Sequence, residues 1–230
     1  ADLGLTAENE HVLRGCEFLF THQREHGEFC RRRRIPGQGI VWETQDAPCT
    51  QARIVRFLIQ FGYTDDPHTR AAMDWLLATQ RNDGMWLCDR AGRHGCLRAT
   101  LDYLRAAALD AETAPHPATA RAAAVVCDLL MAPGMGRYHV GDVWKVLEYP
   151  HVGYGVISAL DTLARLGYTL EQPKVTAAME YLLSRQRPDG AWPLDQTAHH
   201  PPFEVGEQGQ PNKWLTFDAL RVIKRLYRHS

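Results

Sequence analysis

The chain has 230 residues, of which 45% are hydrophobic and 23% charged, a composition typical of a globular protein rather than a disordered or fibrous one. With 26 basic and 27 acidic side chains the formal net charge is -1, so no overall field favours binding to nucleic acid or to an acidic membrane surface. The apolar runs are far shorter than the roughly 20 residues that a transmembrane helix needs. These properties predict a single cytoplasmic domain that spans residues 1–230 and has no transmembrane segment.

The cysteine content fits a reducing compartment. Six cysteines are an even number, but a chain of this length can bury a sufficient core without disulfides. The sequence also has no Asn-x-Ser/Thr glycosylation site. We therefore expect reduced thiols, with metal binding as their leading special use.

Three segments of the sequence align with one another without gaps. Each reads aromatic, Leu, three residues, Gln, three residues, Gly, one residue, aromatic. The segments are Arg14 to Phe29, Ala71 to Trp86 and Ala177 to Trp192. The distance along the chain from the second segment to the third is twice a period of about 53 residues. A repeat of that length is typical of stacked structural units. A fourth, more divergent unit is therefore predicted at Arg121 to Gly134.

Each repeat unit predicts a pair of helices. Apolar residues at helical spacing precede the Gln and indicate an amphipathic helix, which the following Gly ends. A second helical pattern follows each connecting loop, at Thr50 to Phe61, Leu97 to Leu109, Gly155 to Leu166 and Leu215 to Leu226. The predicted class is therefore all-α, with about four helical hairpins, or eight helices. Because repeated pairs bury their faces against neighbours, we expect an α/α toroid or short solenoid with the second helix of each pair inside.

Two of the connecting loops are longer than a simple turn requires, residues 30–48 and 193–213. Loops beyond about 12 to 15 residues in a compact domain are usually functional or disordered. The loops lead into the starts of the predicted inner helices. A site is therefore expected at that end of the helices.

The Gln-x-x-x-Gly-x-Trp units resemble the QW motif of the prenyltransferase and squalene oxidase repeat superfamily. That group includes squalene-hopene cyclases, oxidosqualene cyclases and the β subunits of protein prenyltransferases. The resemblance covers nearly the whole chain and implies a terpenoid cyclase-like α/α barrel around an apolar cavity that holds an isoprenoid. The motif itself stabilises helices and performs no chemistry, so it implies the fold more specifically than the activity.

The resemblance also implies two catalytic candidates, Asp46 and His151. Protein prenyltransferases hold a zinc ion through Asp-x-Cys at the start of one inner helix and a His at the start of the next. Here Asp46-Ala-Pro-Cys49 is one residue longer, and His151 begins an inner helix two units further on. The Asp-x-Asp-Asp acid of class II terpene cyclases has no counterpart in the sequence, which argues against cyclisation initiated by protonation.

Four cysteines recur by unit near the starts of the inner helices. Two follow the repeat aromatic and two precede an inner helix: Cys30 and Cys88, then Cys49 and Cys96. Thiolates from adjacent repeats can converge on one tetrahedral zinc ion, with His94 and His151 as substitute ligands. Four thiolates would make a structural site, and three with an open position a catalytic one. Buried free thiols and disulfides are the alternatives.

Basic and aromatic residues near the same loops are the candidates for substrate binding. Arg31 to Arg34 form either a solvated face or a diphosphate site, since guanidinium groups pair with phosphate oxygens. Four aromatic residues either belong to the core or line an apolar cavity, where their ring faces would stabilise a carbocation. They are Trp42, Tyr149, Tyr154 and Trp214.

The expected function is that of a small terpenoid cyclase or prenyltransferase-like enzyme that binds an isoprenoid substrate in a central apolar cavity. A zinc ion held by cysteines would assist it. The alternative is a non-catalytic scaffold that binds an isoprenoid or a protein and keeps a structural zinc site. Long polar loops favour the enzyme, and the missing acidic cluster favours the scaffold. A homo-oligomer is also considered, because related barrels usually have more units than four.

Overall fold

The computed structural model describes residues 4–43, 47–87, 95–132, 144–151, 154–197 and 203–228. These parts of the chain are mostly helical, with eight helices and three small two-stranded sheets, so the predicted all-α class is confirmed at that level. The helices are α1 (Glu10–Phe20), α2 (Pro48–Phe61), α3 (Pro67–Ala78), α4 (Leu97–Ala107), α5 (Pro117–Leu129), α6 (Val156–Arg165), α7 (Pro173–Ser184) and α8 (Lys213–Leu226). The strands are β1 (Arg31–Ile35), β2 (Gly39–Glu43), β3 (Glu148–Tyr149), β4 (Trp192–Pro193), β5 (Gln196–Thr197) and β6 (Pro211–Asn212).

Two compact units divide the chain, residues 1–122 and 123–230, with the boundary inside α5. In the first unit α2 packs against α3 and α4, and α4 is buried on all sides. In the second unit α6 packs against α7 and α8. No helix in the described stretches is both long and apolar enough to cross a bilayer.

Local sequence signals set the ends of these helices. Proline stands in the first turn of α2, α3 and α7, where its missing N–H is not needed. The Asn212 side chain accepts hydrogen bonds from the backbone N–H groups of Trp214 and Leu215 and so caps α8. Gly62 ends α2 with φ at +99°, a conformation that costs glycine little. The second helix of every predicted pair therefore lies where its apolar pattern placed it.

The glutamine of each of the three aligned repeat units makes the same local hydrogen bond. Its Nε2 donates to the carbonyl oxygen of the glycine four residues later, at 2.8 Å for Gln23, 3.0 Å for Gln80 and 2.8 Å for Gln186. Two of these glutamines also reach a second helix. Gln23 donates to His68 O in α3 at 2.7 Å, and Gln80 donates to Ala118 O in α5 at 2.8 Å. The side chain therefore joins the end of one helix to the start of another.

The aromatic residue that ends the unit is anchored as well. Trp86 and Trp192 are fully buried, and each indole Nε1 donates to a carbonyl oxygen of the preceding helix. The acceptors are Leu76 O at 2.7 Å and Leu182 O at 2.8 Å. These contacts hold the loop after each helix against the core, ahead of α4 and α8.

The predicted loop at residues 30–48 is wrong in part, because residues 31–43 form an antiparallel hairpin. Arg31 in β1 pairs with Glu43 in β2, and Arg34 pairs with Ile40. Ile, Val and Trp favour the extended conformation, and glycines 37 and 39 take the positive φ values that the tight connection requires. The arginine run hides this signal, since four charged residues in sequence show no apolar alternation.

Candidate functional site

The second unit contains a histidine and a carboxylate in hydrogen-bonding contact at the edge of α8. His151 lies between β3 and α6, and its Nε2 is 3.0 Å from Oδ2 of Asp218 in α8. The side chains of His151 and Asp218 are 20% and 11% exposed. Because a carboxylate accepts hydrogen bonds, Nε2 carries the hydrogen in the neutral ring and Nδ1 keeps its lone pair. His151 is thus arranged to accept a proton at Nδ1.

Two aromatic side chains stand next to this pair. The rings of Tyr149 and Trp214 are stacked, with centroids 5.6 Å apart and planes 5° apart. Tyr149 also meets the His151 ring edge-on at 5.7 Å. The Trp214 Nε1 is buried and has no hydrogen-bond acceptor within the described residues. The packing of β3 against α8 therefore gathers three predicted site residues, Tyr149, His151 and Trp214, in one place.

Ion pairs hold the carboxylate from its other side. Asp218 Oδ1 is 3.1 Å from Nη2 of Arg221, so each carboxylate oxygen has its own partner. Asp161 in α6 adds a second carboxylate, with Arg165 Nε at 3.0 Å, Arg225 Nε at 3.3 Å and Arg221 Nε at 3.7 Å. This network ties α6 to α8 and fixes the orientation of Asp218 toward His151.

The first unit contains a sister arrangement, and both arrangements are built on the six-residue pattern Thr-x-Asp-x-Leu-Arg. Residues 100–105 read Thr-Leu-Asp-Tyr-Leu-Arg, and residues 216–221 read Thr-Phe-Asp-Ala-Leu-Arg. Asp102 is 2.9 Å from Arg105 in its own helix and 3.3 Å from Arg53 in α2. Burial lowers the pKa of Arg105 to about 10, against the opposing effect of Asp102.

The two arrangements differ in their partners and in their exposure. In the first unit Asp102 is 1% exposed and its partner from another element is an arginine, whose side chain offers only N–H donors. In the second unit the equivalent Asp218 is paired with a histidine, whose neutral ring keeps one nitrogen that can accept a proton. The stacked aromatic pair and the greater exposure are also found there. Only the second arrangement therefore combines a proton acceptor with a partly open apolar wall.

The other predicted site residues lie elsewhere. Tyr154 packs against Trp144, with ring centroids 6.1 Å apart. Arg34 is exposed in β1, Arg31 lies in the same strand and Trp42 lies in β2. Asp46, the second predicted catalytic residue, is outside the described residues.

The three described cysteines of the predicted zinc set, Cys30, Cys49 and Cys96, are all buried in the first unit. The Cys96 thiol accepts a hydrogen bond from Ala99 N at 3.5 Å and so caps α4. Among the described residues no three His, Cys, Asp or Glu side chains converge as metal ligands do. Cys88 and His94, which the sequence assigns to the same set, lie outside those residues. The described donors do not by themselves make a site, and zinc stays a prediction from the sequence.

Sequence reasoning missed Asp218, Arg221 and Asp161, the charged partners of the site. A usable signal was the Thr-x-Asp-x-Leu-Arg string at residues 100–105 and 216–221, which begins three residues after the first residue of α4 and of α8. Its Asp and Arg are three residues apart and share a helix face. Neither apolar periodicity nor the Gln-Gly-Trp repeat marks this string.

No model of a known protein family matches the chain, and a search of curated proteins also gives no match.

Proposed function

We propose that the chain is a small isoprenoid enzyme, similar to a terpenoid cyclase or prenyltransferase, with its reaction centre at His151 and Asp218. The observation that carries the proposal is the 3.0 Å contact between these residues beside the stacked rings of Tyr149 and Trp214. The fold proposed with it is an α/α toroid or short solenoid of four helical hairpins. The repeated glutamine contacts and the eight helices support that architecture.

The aromatic pair suits an isoprenoid chain. The rings of Tyr149 and Trp214 offer apolar surface for hydrocarbon, and their faces attract positive charge that develops on carbon. The proposed substrate is an allylic diphosphate ester. Its C–O bond breaks, the electron pair leaves with the diphosphate, and an allylic cation remains beside the rings. Arg221, which pairs with the other oxygen of Asp218, adds positive charge next to this centre.

His151 completes the proposed reaction by removing a proton. A C–H bond next to the cationic carbon breaks, its electron pair forms the new C=C bond, and the proton passes to Nδ1 of His151. Asp218 holds the ring through Nε2 and stabilises the imidazolium that results. The imidazolium then passes this proton to the released diphosphate, so the products are a hydrocarbon and protonated inorganic diphosphate, and mass and charge balance without a further reactant.

The test is product analysis with defined substrates. The purified chain is incubated with geranyl diphosphate, farnesyl diphosphate or squalene, and organic extracts are examined by gas chromatography and mass spectrometry while diphosphate release is followed. We expect a hydrocarbon product from a diphosphate ester. His151→Ala should lower turnover at least about 100-fold, the usual contribution of a positioned base. The exposed His11 on α1 gives the matched control, His11→Ala, which should leave turnover unchanged.

Binding is measured separately through tryptophan fluorescence. Trp214→Phe should reduce the fluorescence change that a prenyl diphosphate causes, because Trp214 forms part of the proposed wall. If no substrate is turned over and none alters the fluorescence, the proposal is wrong. Binding without turnover would support a non-catalytic isoprenoid-binding protein instead.

A scaffold that binds protein is the second candidate function. The observation in its favour is the exposure of large apolar side chains on α8, with Phe217 at 63% and Leu220 at 51%. Contiguous exposed apolar surface is typical of interaction sites.

Zinc remains a separate proposal in both cases, and elemental analysis of the purified chain tests it. Less than about half an equivalent of zinc from a metal-replete preparation would contradict it.

A further inference from the structure

Helix α8 carries an uncovered apolar face, here called the α8 face, formed by Phe217, Leu220 and Tyr227. The three side chains are 63%, 51% and 53% exposed. Their spacing of three and seven residues places them on one side of the helix. Lys224 lies between them and is exposed too, and its long chain can reach past the apolar surface to water. This amount of exposed aromatic and aliphatic surface on one helix face calls for an explanation.

The same positions are buried in the other inner helices. Counted from the N-cap residues Cys96 and Asn212, Phe217 and Leu220 are equivalent to Leu101 and Leu104 within the shared six-residue string. Leu101 is 1% exposed and Leu104 is 0% exposed. The equivalent side chains of α2 and α6, all 0% exposed, are Ala52, Val55, Leu160 and Leu163. The fifth and eighth positions therefore normally face another helix, and in α8 they do not.

Helix α2 shows the reverse pattern. Its fifth and eighth positions are covered, whereas Phe57 is 36% exposed and Ile54 and Phe61 are half-buried. Ile54 and Phe57 occupy the seventh and tenth positions. The residues at those positions in α4 and α8 are all 0% exposed: Tyr103, Ala106, Ala219 and Val222. We call Ile54, Phe57 and Phe61 the α2 face.

The two open faces are complementary halves of one type of interface. Within the first unit α2 packs on α4, and within the second α6 packs on α8. The burial pattern fits a pair in which one helix, α2 or α6, presents the positions of the α8 face and the other, α4 or α8, presents the positions of the α2 face. Helix α8 has the first set uncovered, and α2 has the second.

We propose that the α8 face of one chain packs against the α2 face of a second copy, head to tail. The new contact would repeat the packing of one inner helix on the next, with Phe217 and Leu220 set against Ile54 and Phe57. The contact joins two different surfaces, so it is heterologous, and it either closes into a ring or extends into a chain of copies. The proposal does not depend on the proposed enzyme activity.

Sedimentation velocity and light scattering of the full chain over about 1 to 200 µM test the association. We expect masses that rise with concentration to multiples of the 26.0 kDa chain. Phe217→Glu on the α8 face and Phe57→Glu on the α2 face should each weaken self-association at least tenfold. Both side chains are exposed, so circular dichroism and melting temperature should stay near the wild-type values.

A mixing experiment distinguishes head-to-tail packing from other arrangements. Phe217→Glu keeps an intact α2 face, and Phe57→Glu keeps an intact α8 face. An equimolar mixture should therefore form a dimer that neither variant forms alone, and it should not grow further. Phe203→Glu, in an exposed loop residue, is the control and should associate like the wild type.

Three results would overturn the proposal. The first is a wild-type chain that remains monomeric over the whole concentration range, which would mean that a second copy does not bind the α8 face. The second is self-association of Phe57→Glu at wild-type strength, which would indicate that α8 faces pair with each other. The third is a mixture of the two variants that remains monomeric.

Discussion

The Nε2 of His151 lies 3.0 Å from Oδ2 of Asp218, which is 67 residues further along the chain. The other oxygen of Asp218 pairs with Arg221, so the carboxylate cannot turn without losing one of its two partners. A side chain held in this way presents a fixed acceptor to the imidazole. The contact therefore defines which ring nitrogen carries hydrogen, as well as where the ring lies.

The first prediction concerns that tautomer. In the wild type at a pH where the ring is neutral, hydrogen should reside on Nε2, since the carboxylate can only accept. Asp218→Asn replaces it with an amide that can donate or accept, so a mixture of tautomers should form. Nitrogen chemical shifts of the histidine rings in long-range NMR spectra report the change. Asp189→Asn is the control, and identical His151 signals in wild type and Asp218→Asn would contradict the assignment.

The second prediction compares the two sister carboxylates. Asp102 is 1% exposed and pairs with the buried Arg105, so Asp102→Asn should lower the free energy of unfolding by about 3 to 5 kcal/mol. The equivalent Asp218 pairs with an arginine whose side chain is 40% exposed. Water can solvate that guanidinium, and Asp218→Asn should cost about 1 kcal/mol.

Urea unfolding followed by circular dichroism measures both values. Asp189→Asn, an exposed residue, sets the baseline and should stay within about 0.5 kcal/mol of the wild type. Equal losses for Asp102→Asn and Asp218→Asn would show that burial does not distinguish the two sites.

The third prediction concerns the repeated glutamines. Gln80 donates to Gly84 O and Ala118 O and accepts from Arg121, so Gln80→Ala removes contacts that join α3 to α5. At about 1 kcal/mol for each hydrogen bond, the loss should be about 2 to 3 kcal/mol. Gln186 donates to Gly190 O within its own turn, and Gln186→Ala should cost about 1 kcal/mol. Thermal melting ranks the two variants, and a larger loss for Gln186→Ala would contradict the proposed bridging role.

The helices could be read from the sequence because their signals are local. Apolar spacing predicted the second helix of each pair, at Leu97 to Leu109 and Gly155 to Leu166 for example, and the structure has α4 and α6 there. Helix periodicity and N-terminal prolines depend on neighbouring residues. The same reasoning failed at residues 31–43, where strand pairing between an arginine run and Ile-Val-Trp depends on contacts across a turn.

The candidate site was predictable for its aromatic residues and histidine but not for its charges. Tyr149, His151 and Trp214 stand beside helix starts, where repeat proteins place their loops. Asp218 lies inside α8, a helix that the apolar pattern assigned to the core. The role of the aspartate in this string depends on which residue of another segment faces it. Asp218 in the second unit faces a histidine, and Asp102 in the first unit faces an arginine. That pairing is a tertiary contact, and no local pattern in one helix specifies it.

The fourth prediction concerns Tyr103, which is fully buried against Trp86. Its hydroxyl lies 2.7 Å from Thr119 Oγ1, and Thr119 donates its own hydrogen to Thr113 O, so Tyr103 is the donor. Burial raises the pKa of Tyr103 to about 12, from an ordinary value of 10.0. Between these values the unfolded chain loses the proton and the folded chain keeps it. The contribution of Tyr103 to the free energy of unfolding is therefore fully present below about pH 10. It falls as the pH rises toward 12, by up to about 3 kcal/mol.

The effect of Tyr103→Phe on the free energy of unfolding should therefore change sign with pH. At pH 8 the variant should be less stable than the wild type by about 1 kcal/mol, because the hydrogen bond to Thr119 is lost. Near pH 11.5 the wild type has lost most of this contribution while the phenylalanine has nothing to ionise, so the variant should be equal or more stable. Urea midpoints at the two pH values measure the reversal. Tyr227→Phe, at a tyrosine that is 53% exposed, should follow the wild type at both, and an unchanged gap for Tyr103→Phe would show that the buried hydroxyl does not control alkaline unfolding.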